Sequence, residues 1–247
     1  MSSLTSILGS LDSQVHPTHE PLLPDNDIVY GICGKKGSGK STLLLSLLNS
    51  PRAFQHRFHY IWMFSPTARG DSKFSDLVSE LDDTGQFFQE LNDETLGTVL
   101  RKIKRKNLAW ENDRTKKKTD RIRHLLLLDD CMCDISVSKQ AALSRVIIQS
   151  RHLHVSCVIT AQKYNGIPTL IRAQFDILSV FKSYNTREVT TLQEDVSIDR
   201  SMFYEIYNFC TDEDHSFMHV NFLTNPITFY KKFDELDVDL TRLNRMG

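Results

Sequence analysis

Short, largely apolar runs separated by longer amphipathic stretches set the rhythm of this chain. Ile28–Cys33, Phe58–Phe64, Leu125–Leu128, Val155–Thr160 and Ile177–Phe181 are of strand length and carry few polar residues. That pattern predicts parallel strands covered on both faces. Helical spacing fills the intervals. Thr42–Asn49 is an apolar helix stopped by Pro51, and residues 74–81 predict another. From about Asp93 to Lys106 one face carries Leu96, Val99, Leu100 and Ile103. Residues 137–152 and Ser201–Cys210 also read as helices, and Ser216–Phe222 with Ile227–Tyr230 as a closing β-hairpin. Strand and helix alternate throughout, which predicts one α/β domain over residues 25–247 with a mainly parallel sheet and helices on both faces. Residues 1–24 are polar, with prolines at 17, 21 and 24, and predict an extension outside the core. Within it Leu4, Ile7, Leu8 and Leu11 have the spacing of two amphipathic turns. It is either a poorly ordered tail or a peptide that docks on a partner.

Composition narrows the picture only slightly. A formal net charge of −1 excludes a uniformly basic nucleic-acid binder but leaves room for a local stripe. Such a stripe exists: from Arg101 to Arg123 there are eleven Lys or Arg residues against Glu111, Asp113 and Asp120. It reads either as a solvated helix face or loop, or as a contact for a phosphate backbone, with Trp110 packing or stacking on a base. The five cysteines (33, 131, 133, 157 and 210) lack the spacing of a zinc knuckle and read as packed free thiols in a reducing compartment. No apolar run is long enough to span a membrane, and the N-terminus lacks the regions of a secretory signal, so the expected location is not extracellular.

The strongest chemical signal follows the first strand. Gly34-Lys35-Lys36-Gly37-Ser38-Gly39-Lys40-Ser41 spells G-x-x-x-x-G-K-S between a buried strand and an apolar helix that continues through Thr42. This is the phosphate-binding P-loop in its proper context, and it implies a bound nucleoside triphosphate. Gly37 and Gly39 let backbone amides approach phosphate oxygens, Lys40 reaches the β- and γ-phosphates, and the Ser41 hydroxyl ligates Mg²⁺. Asp129 and Asp130 close the leucine strand. Asp129 is the expected metal carboxylate, and Asp130 is placed to orient or deprotonate the attacking water. Hydrolases of this branch more often carry glutamate there, so the shorter acid leaves the general-base role open while the metal role stands. Gln162 ends the next strand and reads either as a γ-phosphate sensor or as a loop cap. Arg145 and Arg151, late in the preceding helix, read as dipole-stabilising cations or as an arginine finger reaching a neighbour's site. Asp82-Asp83-Thr84-Gly85-Gln86 spells a GTPase-like D-x-x-G-Q, but it follows a helical stretch and no guanine-reading N-K-x-D occurs.

Taken in order, these residues resemble the genome-packaging ATPases of poxviruses, large DNA viruses and virophages, within the FtsK–HerA superfamily. The resemblance runs from about Asp27 to Leu236. It rests on Gly34–Ser41, Phe64-Ser65-Pro66-Thr67, Leu125–Asp130, Gln162-Lys163, Ile167-Pro168, Ile171-Arg172 and Phe229-Tyr230-Lys231-Lys232-Phe233-Asp234. It implies a RecA-like core with an additional strand between the P-loop strand and the aspartate strand. It also implies ATP and Mg²⁺ as ligands, and a homo-oligomeric ring that drives double-stranded DNA into a capsid, in the host cytoplasm or the virion. The family's trans-acting finger maps onto Arg151 and its sensor glutamine onto Gln162. Arg172 matches a family position without an assigned role, and a structural salt bridge is the other reading. Two other readings fit the same motifs: a small P-loop kinase, and a nucleotide-gated capsid-assembly factor with little turnover.

Overall fold

The computed structural model describes residues 23–24, 27–113, 115, 121–132 and 137–238. In chain order its elements are β1 (Val29–Cys33), α1 (Lys40–Asn49), β2 (Tyr60–Phe64), α2 (Ser75–Asp83), β3 (Phe87–Phe88), α3 (Asp93–Glu111), β4 (His124–Asp129), α4 (Val137–Ile148), α5 (Ser150–Leu153), β5 (Val155–Ala161), α6 (Thr169–Arg172), β6 (Ile177–Phe181), α7 (Thr186–Val196), α8 (Arg200–Cys210), β7 (Phe217–Asn221), β8 (Thr228–Lys231) and β9 (Asp234–Glu235).

These strands form one sheet in the order β3-β2-β4-β5-β1-β6-β7-β8-β9. Pairing is parallel from β3 through β6 and antiparallel from β6 to β9. Strand β5 therefore stands between β4 and β1, the extra strand expected of a RecA-like core. Register decides what meets at the sheet edge. Cys33 pairs with Ala161, and Asp129 pairs with Thr160. Gly34, Gln162 and Asp130 consequently leave the sheet side by side, at its C-terminal edge.

Successive residues of the buried strands feed opposite faces. Leu125 and Leu127 join Ile28, Tyr30 and Ile32 in the core under α1 and α2. Leu126 and Leu128 join Trp62, Phe64 and Ile159 in the core under α3, α4, α7 and α8. A strand apolar at every position is what two covered faces require. Helix α1 carries five buried leucines because it is pressed between the sheet and the segment around Phe54 and Phe74.

Several elements differ from the pattern-based expectation. The helix expected over 137–152 is two, α4 and α5, interrupted at Gln149. Helix α3 runs five residues beyond Lys106, so half of the basic stretch is helical surface. Helix α7 and the short strands β3 and β9 were not foreseen. The N-terminal extension lies outside the described residues, apart from its last residues. Of these Leu23 is buried in the core under α1, and the Arg57 guanidinium donates to the Pro24 carbonyl. The core therefore begins before residue 25. Four cysteines are described, all free and buried, and burial pushes the Cys33, Cys157 and Cys210 thiols up to about 12. That fits packed thiols; Cys133 lies outside the described residues. No described helix is long and apolar enough to cross a membrane.

Candidate active site

The loop from Gly34 to Gly39 is shaped by close packing and by left-handed backbone. A Cβ on Gly34 would stand 2.6 Å from Ser38 Oγ and 2.7 Å from Phe181 Cβ. Gly37 and Gly39 have φ of 80° and 111°, which L side chains avoid. The Gly39 turn starts α1, and the first amides of a helix have no intrahelical acceptor, so they face whatever lies above the loop. Lys40 Nζ folds back to donate to Gly34 O at 2.7 Å and Lys35 O at 3.3 Å. That places the ammonium on the loop it is expected to serve. His215 braces the loop from the turn before β7, with Nδ1 donating to Ser38 O at 3.0 Å.

Two strands away, Asp129 is 5% exposed and gripped on both oxygens. Ser65 Oγ donates to Oδ2 at 2.8 Å and Thr160 Oγ1 donates to Oδ1 at 2.6 Å. Burial nevertheless holds its carboxyl above the usual range, the two hydroxyls and Lys40 pulling the other way. A desolvated carboxylate with spare lone pairs is a good ligand for a hard cation. Asp130 sits at φ 50°, its amide shared between Thr160 O at 3.2 Å and Thr160 Oγ1 at 3.1 Å. Its Oδ2 accepts from Gln162 Nε2 at 3.0 Å, while Oδ1 is buried without a partner. Ser38 Oγ is likewise buried and unpartnered.

These unmet polar atoms are the fit test for Mg·ATP. Ser38 Oγ, Asp130 Oδ1, the opening amides of α1 and the Lys40 ammonium surround one edge of the sheet. A triphosphate accepts from Ser38 Oγ, the α1 amides and Lys40, and the water that attacks it supplies the donor for Asp130 Oδ1. Ser41 and Asp129 would hold the metal, and Gly34, Lys35, Lys36, Gly37, Ser38, Gly39, Lys40 and Thr42 would line the phosphate tail. Among the described residues no cluster of three or more His, Cys, Asp or Glu forms a separate metal centre.

The P-loop, Asp129, Asp130 and Gln162 thus come together, and the arginines do not. Arg151 lies before β5, at the opposite edge of the sheet, with Nη2 2.8 Å from Asp176 Oδ1 and 68% of its side chain exposed. Asp176 Oδ2 accepts from the Val29 amide at the start of β1. Arg145 is exposed on α4. Arg172 is a structural cation: it pairs with Asp195 at 2.8 Å, donates to Ile167 O and stacks on Tyr164, fastening the loop that follows Gln162. Of the basic stretch, Arg101, Lys104 and Arg105 are exposed on α3. Lys102 and Lys106 instead cover the Trp62 and Tyr60 rings. Trp110 packs edge-on to His59. Arg114 and 116–120, including Lys116-Lys117-Lys118, lie outside the described residues.

Sequence reasoning missed Ser65, Thr160 and His215 as site residues. Ser65 follows β2 and Thr160 precedes Gln162, so strand order would have brought both to Asp129. His215 has no local signal, because its contact spans 177 positions.

The family described as Poxvirus A32 protein matches residues 20–231. No curated protein sequence matches the chain. Among solved structures, the DNA-packaging ATPase B204 of Sulfolobus turreted icosahedral virus is similar at TM-score 0.58 and 17% identity, covering 84% of this chain and 98% of that one. The genome packaging NTPase B204 of Sulfolobus turreted icosahedral virus 2, in complex with ATP-gammaS, is similar at TM-score 0.55 and 16% identity, over 83% and 96% of the two chains. The pCW3 conjugation coupling protein TcpA, with ATPgS, gives TM-score 0.55 at 11% identity, over 85% of this chain and 62% of that one. At these identities the fold is what is shared.

Proposed function

The chain belongs to the poxvirus A32 protein family, and on that premise we propose that it is an ATPase that drives double-stranded DNA into a viral capsid. The observation that carries the reading is the convergence of Lys40, Asp129, Asp130 and Gln162 on adjacent strand tips. It supports hydrolysis at the terminal phosphate. Water attacks the γ-phosphorus, Asp130 takes its proton, and the bond to the ADP oxygen breaks. Mg²⁺ on Ser41 and Asp129 would neutralise charge on the β- and γ-phosphates. Gln162, bonded to Asp130 before the nucleotide arrives, is positioned to exchange that partner for the γ-phosphate or the water and so report turnover.

Arg151 is too far along the strands to serve its own site, so its role is in trans, completing the site of a neighbour in a ring. Such a finger is worth about 10³–10⁵ in rate. The exposed Arg101, Lys104 and Arg105 on α3 supply a sequence-independent contact to a phosphate backbone. In this role the protein works beside capsid proteins, in the host cytoplasm or the virion.

The test is the ATPase rate with and without double-stranded DNA across a salt series. Stimulation that fades as salt rises is expected. Tight ATP binding with negligible turnover would favour a nucleotide-gated assembly factor, a reading kept in view by the short Asp130 side chain already engaged by Gln162. Transfer of phosphate to a small acceptor, indifferent to DNA, would make the protein a kinase.

A further inference from the structure

A cavity of about 290 Å³ opens at the tips of β1, β5 and β6, against α7. Gln162 and the loop residues Gly34, Lys35 and Lys36 form one side of it, which puts it at the γ-phosphate end of the triphosphate site. Its charged lining is Lys35, Lys36, Lys163 and Lys182 against Glu188 alone. Among the described residues none of these four lysines pairs with a carboxylate. Lys35 Nζ and Lys182 Nζ lie 4.8 and 5.8 Å from the centre of the Tyr184 ring, which is 76% exposed. Asn185, the cap of α7, is also part of the lining, so the positive end of that helix's dipole adds to the lysines.

Within this positive lining Glu188 is only 8% exposed. Its Oε2 accepts from Ser183 Oγ at 2.6 Å, and its Oε1 has no hydrogen-bond partner. A buried carboxylate oxygen left unmet is costly, and its natural remedy is a donor brought by a ligand. The cavity therefore suits a small anion that also carries a hydrogen-bond donor. The γ-phosphate of ATP fails the second condition, because its oxygens are ionised once it lies against Lys40. Hydrolysis changes that. The attacking water gives one proton to Asp130 and keeps the other, so orthophosphate forms with at least one P–OH group.

We propose that this cavity receives the orthophosphate released by hydrolysis, with Glu188 Oε1 accepting from its P–OH and Lys35 and Lys182 facing its ionised oxygens. The inference rests on the reading of the chain as an ATPase, and it gives the product a place apart from the nucleotide. Phe181, Val189 and Leu192 supply an apolar wall without further donors, so the ion is held loosely enough to leave. The carboxylate also sets selectivity. Sulfate has a similar shape and charge but no proton to donate, so it meets repulsion from Glu188 where phosphate meets an acceptor.

The test uses protein saturated with Mg²⁺ and β,γ-methylene-ATP, which fills the γ-phosphate position without turnover, so that an added anion reports on the cavity. Calorimetric titration at pH 7 should show phosphate binding at least about tenfold more tightly than sulfate. Glu188→Ala should bring the two anions to within about threefold of each other. Lys182→Ala, at an exposed position, should weaken both by a similar factor and leave the preference in place. Equal affinities in the wild type, a preference that survives Glu188→Ala, or no phosphate binding to protein that holds the analogue would overturn the phosphate site and leave the ATPase reading intact. Failure to bind the analogue itself would overturn both.

Discussion

The two edges of the sheet are built on different terms. At the C-terminal edge, Ser38 Oγ, Asp130 Oδ1 and Glu188 Oε1 are buried without partners, and left-handed backbone recurs at Gly37, Gly39 and Asp130. At the N-terminal edge, polar groups close on one another. Asp176 takes the Val29 amide on one oxygen and Arg151 on the other, Ser156 Oγ accepts from the Ile28 amide, and Asn107 bridges Leu153 O and His124. Unmet polar atoms occur elsewhere too, but at the C-terminal edge they gather beside the glycine loop and the tip of β4, where a ligand can complete them. The N-terminal edge is more nearly closed, although Asn49 Nδ2, Ser50 Oγ and His154 Nδ1 are buried there without hydrogen-bond partners and His154 has φ 54°. What it exposes is cationic: Arg151, and the face of α3 that carries Arg101, Lys104 and Arg105. A nucleotide edge and a cationic edge on opposite sides of one sheet suit a subunit that works only beside its neighbours.

The largest effect expected from breaking this contrast is at Lys40. Lys40→Ala should lower ATP turnover by about 10²–10³ in a steady-state assay, with a thermal midpoint close to wild type. Arg151→Ala should lower turnover at least about tenfold, and since its partner Asp176 is buried and keeps only the Val29 amide, some loss in the thermal midpoint accompanies it. Mixing the two variants sharpens the comparison. If Arg151 acts in trans, Lys40→Ala subunits donate a finger to intact sites on Arg151→Ala subunits, and activity reappears that neither has alone. Additive, unrecovered activity would assign Arg151 to its pair with Asp176 only.

A smaller change is expected on α3. Replacing Arg101, Lys104 and Arg105 with alanine should leave basal turnover unchanged while flattening the salt dependence of DNA binding, by roughly one in slope for each phosphate no longer neutralised. The smallest effect concerns stability. Burial lowers His124 to about 4 and His219 to about 3, so both stay neutral in the fold. An unfolded histidine takes up its proton near pH 6.5, so the stability these residues carry is complete above that value. It is lost as pH falls toward 4, at about 1.4 kcal/mol per pH unit for each. Asp129, whose carboxyl is raised, works in the opposite sense and softens the loss. Thermal melts of the apoprotein between pH 7 and 5 should show the decline, and His124→Gln should reduce it.

Much of this was legible in the residues because the signals are local. Four leucines followed by two aspartates are a weak signal alone and a strong one downstream of G-x-x-x-x-G-K-S, which itself gains its meaning from the apolar strand before it and the helix after it. Gln162 was found because it ends the next strand. Helix α7 was missed because Val189, Leu192 and Val196 are its buried apolar side chains, among threonines and acids of middling helix propensity. Its one clear signal was Asn185, which caps the helix by accepting from the Arg187 amide, with Glu188 three positions on. The break at Gln149 left no mark in the apolar spacing. The groups behind the site were harder to read: Ser65 becomes legible only once β2 is set beside β4, and His215 acts through a partner 177 positions away with no local signal. The Arg151 pairing with Asp176, across 25 positions, was equally invisible, and it shows which edge that arginine occupies.

The central claim is that a triphosphate and its metal are held between the glycine loop and the acids at the tip of β4. Titration calorimetry of ATP, with and without Mg²⁺, into wild type, Lys40→Ala and Asp129→Ala tests it most directly. Wild type should bind ATP and bind it more tightly with Mg²⁺, Asp129→Ala should bind with the same affinity either way, and Lys40→Ala should give little heat. An undiminished magnesium effect in Asp129→Ala, or full ATP binding by Lys40→Ala, would contradict the account.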